Sequence, residues 1–438
     1  MPKLFINLKE REIEARKDSL SLSNNEVLLN RVLSRATEDS GLISIQKEFE
    51  SCKDIKPEHW NGLEDLRGKI LQYTYPVQIL KGLDYVTVAE IFKRVNRQGK
   101  ILVAAELELA TIIPHWKGFS KLLRTFIKEM RSEGFHADLS FYMKCLAFIA
   151  TDRPAIDHFS KQIVDAKYSS KQLEQYWNLT KKSIRKLHVL LKKHKIDRTE
   201  LITTRNALVP VVYAIAKDKK NKINDGLFIK WLIDSMAGGH YARQTESVLR
   251  RDSSPLFRSL PDIEKGFAKL YRQMVKQDKV GRIFGEGDFE GISSKNPAML
   301  FMYLGLRHYG ATDCGGKNAP PIEQIAEYNI HHIFPFEFML ADEEAEEYRK
   351  RNELSRPEFK EQVNDVANLT FISAKENKEI GKSPPYVYLP MKTTPENLKA
   401  HCIPNDPELW RPENFDRFCM ERRKLLAKAT NSYLKSLE

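Results

Sequence analysis

The chain has 438 residues, 42% of them hydrophobic and 30% charged, which exceeds one ordinary core and suits two or three domains with well-solvated surfaces. Lys and Arg outnumber Asp and Glu by 71 − 59 = 12, a balance that favours a polyanionic partner such as nucleic acid. Five scattered cysteines with no C-x-x-C pair argue against a disulfide framework or a zinc ribbon, and the lack of a signal-peptide core or a bilayer-length apolar run predicts a cytoplasmic chain with no membrane partner.

In chain order, residues 1–115 mix helical segments with one short strand-like run, YTYPVQIL (73–80). TVAEIFKRV reads as helix, and NRQGK (96–100) as a turn in which Asn and Gly supply permissive backbone angles. Residues 116–305 read as almost wholly helical. In LEQYWNLTKKSIRKLHVLLKK, positions Leu173, Tyr176, Thr180, Ile184, Leu187 and Leu191 recur at helical spacing, with Lys and Arg on the other face. Residues 161–205 hold twelve Lys/Arg against four Asp/Glu, the most basic long stretch in the chain. Two readings of it stay open: a solvated helix face and a phosphate-contacting surface. GLFIKWLIDSM and DIEKGFAKLYRQMV are further helices, and GGHYARQTESVLRRD (238–252) is a polar loop leading into another.

From 306 onward the texture becomes mixed α+β. GATDCGGKNAPP (310–321) is a Gly/Pro-rich boundary, ADEEAEEYRKRNE (341–353) an acidic helix, and ENFDRFCMERRKLLAKATNSYLKSL a closing amphipathic helix. The expected fold class is therefore mainly α with α+β parts. Its domains are 1–115, 116–305 and 306–438.

The chemistry-bearing residues sit in EYNIHHIFP and in VNDVANLTFISAKENKEIGKSPPYVYL (363–389). NLTFIS reads as a strand beginning at Asn368, and Ser373 with Glu376 as a capping box that starts a helix. Asn377 then falls in that helix's opening turns. A strand bearing His331 and His332, a second strand and a short helix can converge on one small site. Adjacent strand residues point to opposite faces, so joint action by the two histidines requires a bend, which the loop opened by Pro335 allows.

The ordered set His331-His332-x-x-Pro335, Asn368-Leu369 and Asn377 resembles the HNH, or ββα-metal, nuclease motif. That resemblance implies His332 as general base, Asn368 as the catalytic site's orienting residue, and His331 with Asn377 as metal ligands. It implies Mg²⁺ or Mn²⁺ as cofactor, with Mg²⁺ preferred on availability and DNA as the substrate; RNA stays open because nothing in the sequence reads sugar identity. Imidazole suits proton abstraction near neutral pH, and a cation suits the developing phosphate charge. Lys382, just past the helix, is a candidate phosphate contact, with a solvated lysine as the plain alternative. Where many such sites carry a further histidine this chain has Gly381, and it lacks the paired cysteines of the zinc-bearing members.

Over most of its length the chain resembles the GmrSD-type modification-dependent restriction enzymes. VAEIFKRVNRQGKILVAAELELA (88–110) looks like the Phe-x-x-x-Asn-x-x-Gly-x-x-Leu-x-x-x-Glu-Leu segment of their ParB/sulfiredoxin-like domain, and HYARQTESVLRRD, NPAMLFMYLGLRHYGA and DPELWRPENFDRFCMERRKLL resemble later segments. The resemblance implies an N-terminal ParB-like region, here partial, a helical middle and a C-terminal HNH domain. It also implies a role in anti-phage defence on base-modified phage DNA. The Asp-Gly-Gln-Gln-Arg motif of that first domain is missing, so the chain reads as starting midway through it. Phe92, Asn96, Gly99 and Glu106 would be the back half of a nucleotide pocket, with Asn96 and Gly99 as nucleotide-binding candidates. Nucleoside triphosphate hydrolysis by this chain alone is not expected; either a partner polypeptide carries the missing motif or the gene is truncated or re-started. The alternative is a nucleic-acid-binding or nucleotide-regulated subunit with an inactive nuclease fold.

Overall fold

A computed structural model describes residues 104–219, 222–242, 244–291, 296–314 and 318–437, strands at 3–7, 12–16 and 26–28, and isolated positions between 68 and 91. Most of the strand-like run at 73–80, the turn at 96–100, and Phe92, Asn96 and Gly99 lie outside the described residues. The chain divides into two compact units, Met1–Leu83 and Asp84–Glu438. In the first, β1 (Lys3–Asn7), β2 (Glu12–Arg16) and β3 (Glu26–Leu28) form an antiparallel sheet in the order β2-β1-β3. The sequence reading had no strands there.

The second unit is mainly helical. Among the described residues, ten helices precede the strand that bears the histidines: α1 (Ala104–Ile112), α2 (Phe119–Ser132), α3 (Leu139–Thr151), α4 (Ile156–Val164), α5 (Ser170–Lys193), α6 (Leu208–Lys217), α7 (Asp225–Ala237), α8 (Thr245–Arg258), α9 (Ile263–Asp278) and α10 (Ala298–His308). Capping sets their starts. Ser169 accepts from the Gln172 amide at 3.3 Å while the Gln172 side chain accepts from the Ser169 amide at 2.9 Å, closing a reciprocal box before α5. The inward stripe of α5 follows the expected spacing except at one place. Trp177 is buried and Tyr176 only half-buried, because the Trp177 ring meets Phe119 and Phe126 edge-on, 5.5 Å from each. The larger indole buries more apolar area than the phenol would, so the stripe turns towards it.

Residues 323–437 add β4 (Tyr328–His332), α11 (Phe336–Ala341), α12 (Glu343–Arg351), α13 (Arg356–Val363), β5 (Leu369–Ser373), α14 (Ala374–Ile380), α15 (Pro385–Lys392), α16 (Pro395–Ala400) and α17 (Phe415–Lys435). The acidic stretch at 341–353 forms one helix, α12, which begins at Glu343 and not at Ala341. Asp342 adopts an extended backbone, φ −80° and ψ 139°, and its side chain caps α12 at the Ala345 amide.

The last helix joins two apolar clusters. Leu426, Ala427, Ala429 and Tyr433 belong to the core of the helical body, whereas Phe415, Phe418 and Cys419 belong to a second core with Ile333, Phe334 and Trp410. Helix α17 lies so close to α10 that a Cβ on Gly305 would sit 3.0 Å from the Ala429 Cβ and 3.2 Å from the Thr430 amide nitrogen. A side chain at 305 would have to push α17 back by a few tenths of an ångström. Among the described residues no helix is long and apolar enough to cross a membrane.

Candidate active site

Strands β4 and β5 pair antiparallel, His331 opposite Thr370 and His332 opposite Leu369, and α14 follows β5 directly. Ser373 starts that helix by accepting from the Glu376 amide at 3.1 Å. The return half of the expected capping box does not form: the Ser373 amide donates to Asp313 Oδ1 at 2.9 Å instead, and the Glu376 carboxylate pairs with Lys392 at 2.7 Å. The chain bends immediately after the histidines, at 333–334, and both imidazoles line one surface pocket of about 310 Å³ together with Asn377, Gly381, Lys382 and Glu337.

His331 is buried. Its Nδ1 lies 2.8 Å from Asn377 Oδ1, and its Nε2 lies 3.2 Å from the Tyr388 hydroxyl. Burial pushes its pKa down to about 4, so the ring is neutral and carries one proton. The Tyr388 hydroxyl donates its own proton to the Ile333 carbonyl at 3.0 Å and therefore receives the His331 Nε2–H. That leaves the Nδ1 lone pair facing a carbonyl oxygen. Two acceptors at this distance repel unless a cation lies beside them or the Asn377 amide turns to donate.

His332 is half-buried, and its Nε2 lies 2.9 Å from Asn364 Oδ1. The Asn364 amide cannot be reversed freely, because its Nδ2 donates to the Lys360 carbonyl at 2.8 Å. Asn364 thus holds His332 as the Nε2–H tautomer. Nδ1 has no partner among the described residues and is not among the buried unpartnered atoms, so solvent reaches it. Burial lowers the His332 pKa, against a smaller rise from the Asn364 hydrogen bond.

Asn368 is fully buried and does not line the pocket. Its Oδ1 accepts from the Phe334 amide at 2.8 Å, and its Nδ2 donates to the Phe334 carbonyl at 3.0 Å and the Val363 carbonyl at 2.9 Å. It holds the turn after His332 and touches no reacting group. Lys382 pairs with Glu337 at the pocket's exposed edge, 2.5 Å apart, so its ammonium already has a carboxylate partner. Glu106 is exposed in the first turn of α1.

The residue that takes the place of the extra histidine is fixed by its backbone. Gly381 has φ 55° and ψ −120°, a region that strains any residue with a side chain. Two site residues escaped the sequence reading, Asn364 and Tyr388. Asn364 sits at the C-terminus of α13, where asparagine is common for capping alone, and Tyr388 lies in an apolar run; neither carries a local sign of its histidine.

The turn that presents Asn364 and Asn368 is held from behind by α17. Asp365 accepts from the Ala367 amide, the Gly291 amide and Arg423 Nη2, each at 2.8 Å. Arg422, fully buried, donates to the Ala367 carbonyl at 2.6 Å and the His401 carbonyl at 3.3 Å; burial lowers its pKa to about 10.

Among the described residues no group of three or more His, Cys, Asp or Glu side chains is placed to hold a metal ion. The converging pair of His331 Nδ1 and Asn377 Oδ1 is a two-donor set of nitrogen and neutral oxygen. It does not suit a closed zinc site, which needs four protein ligands; the neutral oxygen suits Mg²⁺ and the imidazole nitrogen a softer ion such as Mn²⁺, either of which this pair could hold. Comparison with protein-family models, with curated proteins and with solved structures finds no match for this chain.

Proposed function

We propose that the chain is a metal-dependent endonuclease of the HNH type that hydrolyses DNA phosphodiester bonds, within the GmrSD-type restriction architecture. One observation carries the reading: two neighbouring imidazoles have their protons locked on opposite tasks, His332 by Asn364 and His331 by Tyr388. The first keeps a bare, solvent-reached nitrogen for a proton; the second turns a bare nitrogen and the Asn377 oxygen towards one point.

In this reading His332 Nδ1 takes a proton from the attacking water as its oxygen bonds to phosphorus. The P–O3′ bond breaks, and the departing oxygen takes a proton from solvent, leaving 5′-phosphate and 3′-hydroxyl ends. Asn364 accepts from the imidazolium that forms, a hydrogen bond that strengthens as the ring gains charge. Asn368 keeps the turn from drifting. A divalent ion bound by His331 and Asn377 would supply positive charge against the negative charge building on the phosphate and leaving oxygen.

Incubation of the purified chain with supercoiled plasmid tests this. Cleavage is expected with Mg²⁺ or Mn²⁺, none with EDTA, and roughly 10²–10⁴-fold less with His332→Ala. Nicking that survives both treatments would remove the mechanism, and DNA binding without any metal-dependent cleavage would favour an inactive binding subunit.

A further inference from the structure

Helices α2 and α5 lie side by side. Glu129 pairs with Arg185, Lys192 donates to the Glu133 carbonyl at 3.1 Å, and the Arg185 guanidinium sits 5.1 Å from the Phe126 ring centre. Together they carry eleven Lys/Arg and two Asp/Glu, so 11 − 2 = 9 of the chain's formal excess of 12 charges resides on these two helices. On α2, Lys121, Arg124, Lys128 and Arg131 recur at intervals of three, four and three residues and form one exposed row. Among the described residues none of these four side chains has an ion pair or hydrogen bond, and the helix's one acid, Glu129, is taken by Arg185. A helix whose charge serves only solubility mixes signs, as α12 does, where Glu346 pairs with Arg349 and Lys350. The α2 row does the opposite, setting like charges at helical spacing, where they repel.

We infer that the α2–α5 ridge is a docking surface for the phosphate backbone of duplex nucleic acid. This rests on the nucleic-acid reading of the chain but not on cleavage. The row covers ten residue steps, about 15 Å of helix, the same order as the ~12 Å major groove whose two walls are phosphate backbones. A single-stranded partner would need exposed rings on which bases stack. The aromatic residues of the ridge, Phe119, Phe126 and Trp177, are buried, and Tyr176 is half-buried. Duplex phosphates are therefore the partner the surface suits, read without base specificity.

The experiment is fluorescence anisotropy of a labelled 30-base-pair duplex with the full chain, in EDTA, across a NaCl series. Lys121, Arg124, Lys128 and Arg131 are changed together to Gln. A control removes the same four charges from α9, at Lys265, Lys269, Arg272 and Lys276. With about 0.9 counterions released per phosphate contact, the α2 variant should bind more weakly, with a log–log salt slope shallower by about 3.6, while the control keeps the wild-type slope. Equal slopes in the α2 variant and wild type would overturn the inference, as would equal losses in both variants, no duplex binding by the wild type, or preference for single strands or anionic vesicles. Wild-type binding with the expected slope change but no cleavage with Mg²⁺ would leave this surface standing and remove the nuclease. Cleavage with unchanged slopes would do the reverse.

Discussion

A neutral imidazole has one proton, and its neighbours decide which nitrogen keeps it. At His332 the decision belongs to Asn364, whose own amide is turned by the Lys360 carbonyl. Asn364→Ala should therefore leave the ring in place but release its tautomer. Cleavage is expected to fall on the order of 10–100-fold, the usual cost of losing such an outer partner, with duplex affinity in EDTA unchanged. A variant that cleaves at the wild-type rate would show that the tautomer is set elsewhere. Legibility at this scale followed resemblance to a motif and not distance in the chain. Asn377, 46 positions from His331, belongs to the ordered set that resembles the HNH motif, whereas Asn364, 32 positions from His332, and Tyr388, 57 from His331, lie outside it and are brought there by packing.

The elements are arranged so that the turn behind His332 is gripped by a helix distant in sequence. Asp365 is the grip: three donors converge on its carboxylate, including Arg423 of α17, and it is almost fully buried. Asp365→Ala would strand the half-buried Arg423 guanidinium and two amides, so a loss of about 2 kcal/mol is expected in chemical denaturation. A loss below about 1 kcal/mol would mean that Arg422 alone holds the turn. The sequence had shown the strand at 369–373 and the Ser373 cap, because β-branched residues and a capping serine act locally. It did not show that the Ser373 amide would turn to Asp313 and the Glu376 carboxylate to Lys392, since both partners are brought there by long-range packing. Nor did it show the break at Asp342, where the side chain's cap of α12 outweighed continuous helix propensity.

At the scale of the whole molecule, the mainly helical architecture was legible from 3.6-residue periodicity over long segments. The three-stranded sheet of the first unit was not, because its strands are three to five residues long and rich in charge, which leaves little apolar alternation to read. Helix α17 has apolar residues in the cores of both the helical body and the β4–β5 region, and Arg422 and Arg423 grip the turn behind His332. The helical body and the candidate site are thus parts of one packed unit. The proposed chemistry requires that His331 and Asn377 together hold a divalent ion. Electron paramagnetic resonance of Mn²⁺ tests this most directly, on complexes of duplex DNA with the non-cleaving His332→Ala chain. One bound ion per chain is expected there, and its loss when either His331→Ala or Asn377→Ala is added; an ion held equally tightly by all three chains would contradict the account.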